Sequence, residues 1–472
     1  MQKLIFSSLL CSLILVALNC NAEEATLQPN TAQNLIEIYQ KALAKDPVLA
    51  SAFSANQAAQ ELTEQGKALY RPTVNLVAGA NTQSQDYAFT GEPRPNPTNP
   101  LIVLQSQQSG VEKFEQRRYG VEARQPIYRK QNLLQMDQAE TQVNQADKQL
   151  VLSQQNLILR TTQSYFDVLI AQDRIDLINA QKAAILKQLE QAKANFEVGT
   201  ATITDVNEAQ ARFDLVLAQE VARINEFEIA KRGIELITGE VPDKLATAKT
   251  TIAVEQLKDK MQDWQQNARE NNLNIRIQED ALKLAEQEEE RAKAGHLPTV
   301  DAVASYFDSY SNGGINTANS RSKNAVIGIE LNVPLYAGGA ISSRARQAAL
   351  NKQRARDDVE IARRQTDLET QRAFLNLSTN IAQVKAFEQA LVSSQSQLDS
   401  TKLGYEVGVR TSVDVLNAQQ QFFSAKRDLS ESRYTYLVNI IRLKSATGVV
   451  SEADLQEVNR FLDKNMRNET AS

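Results

Sequence analysis

The mature part of this chain carries few residues that make or break covalent bonds. Its single histidine is His296, and its two cysteines, Cys11 and Cys20, lie in an apolar leader. No nucleophile stands beside a positioned base, so a hydrolase is not indicated. No glycine-rich loop offers a phosphate cradle, and Gly313-Gly314 reads as a turn. Glu286-Gln287-Glu288-Glu289-Glu290 is a charge run on a helix and reads as a solvated face rather than a metal site. The chain is therefore read as a non-enzyme with no cofactor. The chemistry left to it is hydrogen bonding and charge, and the residues placed for that occur in pairs.

Phe196-Glu197-Val198-Gly199 returns as Tyr405-Glu406-Val407-Gly408. Thr204-Asp205-Val206 returns as Val413-Asp414-Val415, Ala209-Gln210 as Ala418-Gln419, and Thr238-Gly239 as Thr447-Gly448. Each pair is 209 residues apart. Upstream, Pro72-Thr73-Val74 matches Pro298-Thr299-Val300, and Gly120 to Pro126-Ile127-Tyr128 matches Gly328 to Pro334-Leu335-Tyr336. A unit of about two hundred residues is too long for a solenoid, whose periods run about 20–50. It reads as a duplicated half. The predicted division is a signal peptide over 1–22, a first repeat over 23–241, a second over 242–450 and a polar segment over 451–472.

Acidic and basic residues, 57 and 52, are interspersed and leave a net charge of -5, so no basic patch points to nucleic acid. Lys3, the apolar run Leu4 to Leu18 and the small Ala22 form a cleavable secretory signal. Lipidation at Cys20 is disfavoured by Asn19 before it, and cleavage at Ala22 leaves no cysteine for a disulfide or thiolate site. No later segment reaches about 18 consecutive apolar residues, so a membrane role has to come from strands.

From Arg129 to Asn195 there is neither proline nor glycine. Met136, Val143, Leu150, Leu157, Ser164, Ala171, Ile178, Ile185 and Ala192 recur every seven residues, a coiled-coil seam. Leu377, Val384, Leu391, Leu398 and Tyr405 repeat it. A helix of about 65–70 residues is roughly 100 Å long. Gly199 and Gly408 supply the left-handed turn that ends each long helix. Thr204-Asp205 and Ser412-Asp414 begin the return helices with small polar caps. Two further stretches, Thr31 to Lys67 and Lys258 to Lys293, read as single helices that stack end to end with the returns.

Val74, Leu76, Ala78 and Ala80 alternate with Thr73, Asn75 and Asn81, Tyr119, Val121 and Ala123 with Gly120, Glu122 and Arg124, and Ile327, Ile329, Leu331 and Val333 with Gly328, Glu330 and Asn332. Four strands per chain cannot close a barrel, which takes about eight or more. Their edges call for other copies. The proline-rich run Glu92 to Pro100 reads as irregular loop. Pro72, Pro126, Pro298 and Pro334 mark strand–helix junctions. Arg129-Lys130-Gln131 stands in the first half where Ala337-Gly338-Gly339 eases the bend in the second.

Gly295-His296-Leu297-Pro298-Thr299, Val333-Pro334-Leu335-Tyr336-Ala337-Gly338-Gly339, Tyr405 to Thr411, Val413 to Leu416, and Ile203-Thr204-Asp205-Val206 together resemble the TolC family of outer-membrane channel-tunnels, over nearly all of the mature chain. The resemblance implies an α+β homotrimer. Four strands per chain form one outer-membrane β-barrel, continued by a long periplasmic α-helical coiled-coil barrel. It implies an exit duct for multidrug efflux and type I protein secretion, set in outer-membrane lipid. It would dock to a periplasmic adaptor (membrane fusion) protein and an inner-membrane RND or ABC transporter. It further implies that Tyr405 and Arg410 on one hairpin link to Thr204 and Asp205 on the other to hold the periplasmic gate shut. Asp414 matches one carboxylate of the family's entrance constriction ring, and Asn417 replaces the second, which predicts weaker cation block. Lys402 stands where an acid is expected opposite Gln188. The competing reading is a soluble periplasmic coiled-coil adaptor or spacer, against which the alternating strands argue.

Overall fold

A computed structural model describes residues 32–90, 94–104, 107–249, 252–313 and 319–463. The predicted signal peptide over 1–22, both cysteines and the end of the polar tail lie outside the described residues. In chain order the helices and strands are α1 (Leu35–Lys45), α2 (Pro47–Ala68), β1 (Thr73–Thr90), β2 (Arg94–Asn96), β3 (Asn99–Leu104), β4 (Gln107–Tyr128), α3 (Lys130–Glu197) and α4 (Ile203–Thr238). The second half follows with β5 (Thr247–Ala248), α5 (Met261–Asn271), α6 (Leu273–Lys293), β6 (Thr299–Ser311), β7 (Ser320–Asn332), α7 (Ala340–Glu406) and α8 (Ser412–Ala446), then α9 (Glu452–Asn459) and β8 (Leu462–Asp463).

The duplication is visible element by element. Helices α3 and α7 have 68 and 67 residues, about 100 Å at 1.5 Å per residue. Their returns α4 and α8 have 36 and 35. The two stretches read as single helices are each broken in two. Asp46 ends α1 and starts α2, with Pro47 in the first turn and the Asp46 side chain accepting from Leu49 N at 2.9 Å. Asn272 ends α5 and starts α6, accepting from Asn274 N at 2.9 Å. A short side chain that satisfies free amides stabilises the break more than a continued helix does.

The breaks mark where the return helices arrive. Asn272 Nδ2 donates to the carbonyl of Ala446 at the end of α8. Gly448, at φ +77°, packs so closely on Asn271 that a Cβ there would sit 2.7 Å from its carbonyl oxygen. In the first half, Lys41 and Lys45 pair with Glu240 just past α4. Helix α3 is therefore flanked by α2 and α4 in succession, and α7 by α6 and α8. The main core lies at this level, around Leu35, Tyr165, Phe166, Ile234, Leu437 and Ile441. The chain after 450 folds back here: Leu455 and Val458 are buried in the same core, and β8 pairs antiparallel with β5. A second core, Ile178, Ile185, Leu189, Ala192, Ala209, Val216 and Leu416, runs towards the hairpin tips.

Strands β1, β4, β6 and β7 form one antiparallel sheet in that order. The first hairpin is longer than its alternation suggests, because β1 continues to Thr90 and β4 begins at Gln107. Polar residues on both faces hide that extension. Part of the proline-rich run is also regular: β2 and β3 pair antiparallel, with a register shift at Pro95/Asn96. A two-stranded ribbon leaves the proline nitrogen on an unpaired side, and Asn96 Oδ1 closes the turn by accepting from Thr98 N at 2.9 Å. Among the described residues, no helix is long and apolar enough to cross a membrane.

Candidate functional site

The two hairpin tips are copies of one another. Gly199 and Gly408 both have φ +78°, the left-handed conformation that glycine adopts without a Cβ clash. Thr200 N donates to Asn195 O and Val409 N to Gly404 O, both at 2.8 Å, so each tip closes with the same wrap. The caps are Thr202 and Thr411, upstream of Thr204 and Ser412. Asp205 and Asp414 sit three residues on and close reciprocal capping boxes. Asp414 accepts from Thr411 N and Oγ1, both at 2.9 Å, and those bonds hold its carboxyl below the usual range. Asp205 accepts from Thr202 N at 2.9 Å and Oγ1 at 2.7 Å. The T-x-x-D spacing was the available signal for both caps.

The hairpins α3–α4 and α7–α8 lie side by side and are tied by polar bonds. Near the tip, Asn195 Nδ2 donates to the Tyr405 hydroxyl at 3.1 Å. Thr204 and Arg410 are exposed at the tips, and among the described residues neither is bonded to the residue across from it. Gln188, Lys402 and Tyr405 line one groove between α3, α7 and α8. On α8, Asn417 Oδ1 accepts from Arg212 at 3.1 Å and Gln420 Oε1 from the same guanidinium at 2.8 Å. Higher up, Arg174 pairs with Glu431 at 2.6 Å, and Ser430 and Tyr434 donate to Asp173. Asn195 and Arg212 escape a reading of the sequence because the repeat does not preserve them. Their counterparts are Gly404, which has no side chain to donate, and Gln421, which has no charge.

The sheet has one apolar face. Leu76, Val121, Tyr306 and Ala325 lie opposite one another across its four strands, as do Ala123, Ala304 and Ile327. Leu76 is 79 % exposed and Ile327 89 %, which one chain in water would not tolerate over a whole face. The band stops at Asp308, which accepts from the Tyr119 hydroxyl at 3.0 Å and pairs with Arg321. The other face is polar. Arg124 bridges Asp301 at 2.8 Å and Glu330 at 2.9 Å, and Arg129, the cap of α3, also holds Asp301. In the second half, Gly338 and Gly339, both at positive φ, make the corresponding turn. Pro72 and Pro298 directly precede β1 and β6, Pro334 lies just beyond β7, and Pro126 sits inside β4 where its register shifts.

The acidic run on α6 is only partly a solvated face. Glu286 and Glu290 are exposed, whereas Glu289 bridges Lys293 and Lys352 of α7, and Glu288 accepts from Gln138 of α3. Among the described residues, no cluster of three or more His, Cys, Asp or Glu side chains could hold a metal ion.

Comparison with known proteins adds ancestry to this geometry. The family described as "Outer membrane efflux protein" matches residues 38–240 and again 264–449, one segment in each repeat. The chain is 34% identical over 434 residues to the outer membrane protein TolC of Vibrio cholerae, covering 91% of this chain and 94% of that one. It is 26% identical over 436 residues to the proteases secretion protein PrtF of Dickeya chrysanthemi, with 90% of each covered. The crystal structure of the Campylobacter jejuni CmeC outer membrane channel superposes with a TM-score of 0.73 at 15% identity, covering 94% of this chain and 95% of that one. Because the family pattern spans both halves of the duplication, the chain belongs to the outer membrane efflux protein family.

Proposed function

We propose that this chain is an outer-membrane channel-tunnel, the exit duct for multidrug efflux and type I protein secretion. The observation that carries the reading is the open sheet. Its exposed apolar face suits lipid, and among the described residues its outer strands β1 and β7 have no partner on their free edges. Strands of 13 residues exceed the about 9–11 that a tilted membrane strand requires. Three chains would close the edges into a barrel of roughly twelve strands.

The helices are open in the same way. Ile361, Leu368 and Leu375 are exposed on α7 at heptad spacing, and Leu217, Val221 and Ile224 are exposed on α4. Such stripes fit a heterologous contact that closes into a ring of copies. The cylinder so formed reaches about 100 Å into the periplasm. Its tips are where a periplasmic adaptor and an inner-membrane RND or ABC transporter would dock. The duct itself is passive, and the family is one of transport channels rather than enzymes. Tyr405, Arg410, Thr204 and Asp205 hold the gate, and Asp414 with Asn417 lines the entrance.

The test is twofold. Cell fractionation should place the protein in the outer membrane as a heat-modifiable trimer that needs detergent, and deletion should sensitise cells to drugs and stop a type I secreted protein. A salt-soluble monomer would favour a periplasmic spacer instead.

A further inference from the structure

The groove between α4, α3 and α8 above the tips is lined by four arginines, Arg174, Arg212, Arg223 and Arg427. Three of them are answered by carboxylates. Arg174 pairs with Glu431 and Glu226, Arg223 with Glu226, and Arg427 with Asp428. Arg212 is different. Its partners among the described residues are two neutral amide oxygens, of Asn417 and Gln420, one helical turn apart on α8. Hydrogen bonds to amides orient a guanidinium but leave its charge whole.

We propose that Arg212 is a charge-selecting residue of the channel entrance, offsetting the cation preference that Asp414 confers. The inference rests on Asp414 and Asn417 lining that entrance. Asn417 is three residues from Asp414, about 4.5 Å along the helix axis at 1.5 Å per residue. Arg212, bonded to Asn417, is thus held about one helical turn from Asp414, a separation over which charges still act at physiological salt, where the Debye length is about 8 Å. Each chain then brings one carboxylate and one uncompensated guanidinium to the entrance. A carboxylate at 417 would instead pair with Arg212 and cancel it. The amide at 417 keeps Arg212 both in place and charged.

Single-channel recording in planar bilayers tests this, since only folded, inserted channels conduct. Arg212→Gln should raise the cation-to-anion permeability ratio about twofold, because a screened charge roughly one helical turn away repels cations and attracts anions by a small factor each, and deepen block by a trivalent cation. Arg212→Lys, which keeps the charge but not the fork, should stay near the parent. If Arg212→Gln and Arg212→Lys change the ratio equally, Arg212 is only a tie between helices and the proposal fails. If Asp414→Asn shifts the reversal potential and Arg212→Gln does not, the proposal fails while the entrance reading stands. If neither shifts it, the entrance reading falls too.

Discussion

Asp46 and Asn272 hold the same place in the two halves of the chain, 226 residues apart, and each both ends one helix and starts the next. Asp46 is buried and also pairs with Arg160 at 2.7 Å. Asp46→Ala removes the cap and leaves that guanidinium without its carboxylate. The cap alone is worth about 0.5–2 kcal/mol, which for a chain of this size lowers the melting temperature of the detergent-solubilised protein by about 1–2 °C, and the stranded guanidinium lowers it further. Asp46→Asn keeps an acceptor for Leu49 N and should lose less. Equal melting of both variants and the parent would refute this account.

Glycine is required at one strand position and not at its repeat counterpart. A Cβ on Gly120 would lie 2.2 Å from Tyr306 O and 2.3 Å from the Phe307 ring, whereas nothing lies within 4 Å of one on Gly328. Phe307 sits over Gly120 directly across the strand pair, with Arg118 stacked 3.6 Å from its ring centroid. Gly120→Val should sharply reduce assembled protein in the outer membrane, and Gly328→Val should not. Immunoblots of unheated membranes read the difference.

The gate prediction concerns the tips. Tyr405→Phe removes the hydroxyl that accepts from Asn195, and Arg410→Ser removes a charge close to Asp414. The double variant should conduct more than the parent in bilayer recordings. An unaltered closed state would mean that these residues do not hold the entrance.

Acid should loosen the upper helices through Glu289. Lys293 and Lys352 hold its carboxyl down to about 2 from an ordinary 4.5. A carboxyl lowered by folding contributes stability above its unfolded value and loses it as pH falls towards the folded one. The contribution is therefore full above about pH 5 and declines between pH 4.5 and about 2. Melting followed across that window should fall less steeply in Glu289→Gln than in the parent. Parallel slopes would show that the bridge to α7 adds nothing.

Much of the fold was legible because its signals are local. The heptad seam, the glycine at each tip and the offset of 209 are properties of neighbouring residues or of one residue against its copy. The helix breaks were written locally too, in Asp46-Pro47 and in Asn272, but the helical pattern on either side masked them. The outer parts of β1 and β4 were not legible. Where neither face meets lipid or core, alternation is not selected and polar strand looks like polar loop.

The amino-acid sequence by itself determined the two-fold repeat, the long helical hairpins, their capped and glycine-closed tips, and the strands with one apolar face. The reason is that periodicity, capping and alternation act over a few residues. Only the tertiary structure decided which side chains meet across the hairpins. Asn195 reaches Tyr405, and Arg212 finds Asn417 and Gln420 instead of a carboxylate. Those contacts depend on how each long helix is rotated about its axis, and packing along the whole hairpin sets that rotation.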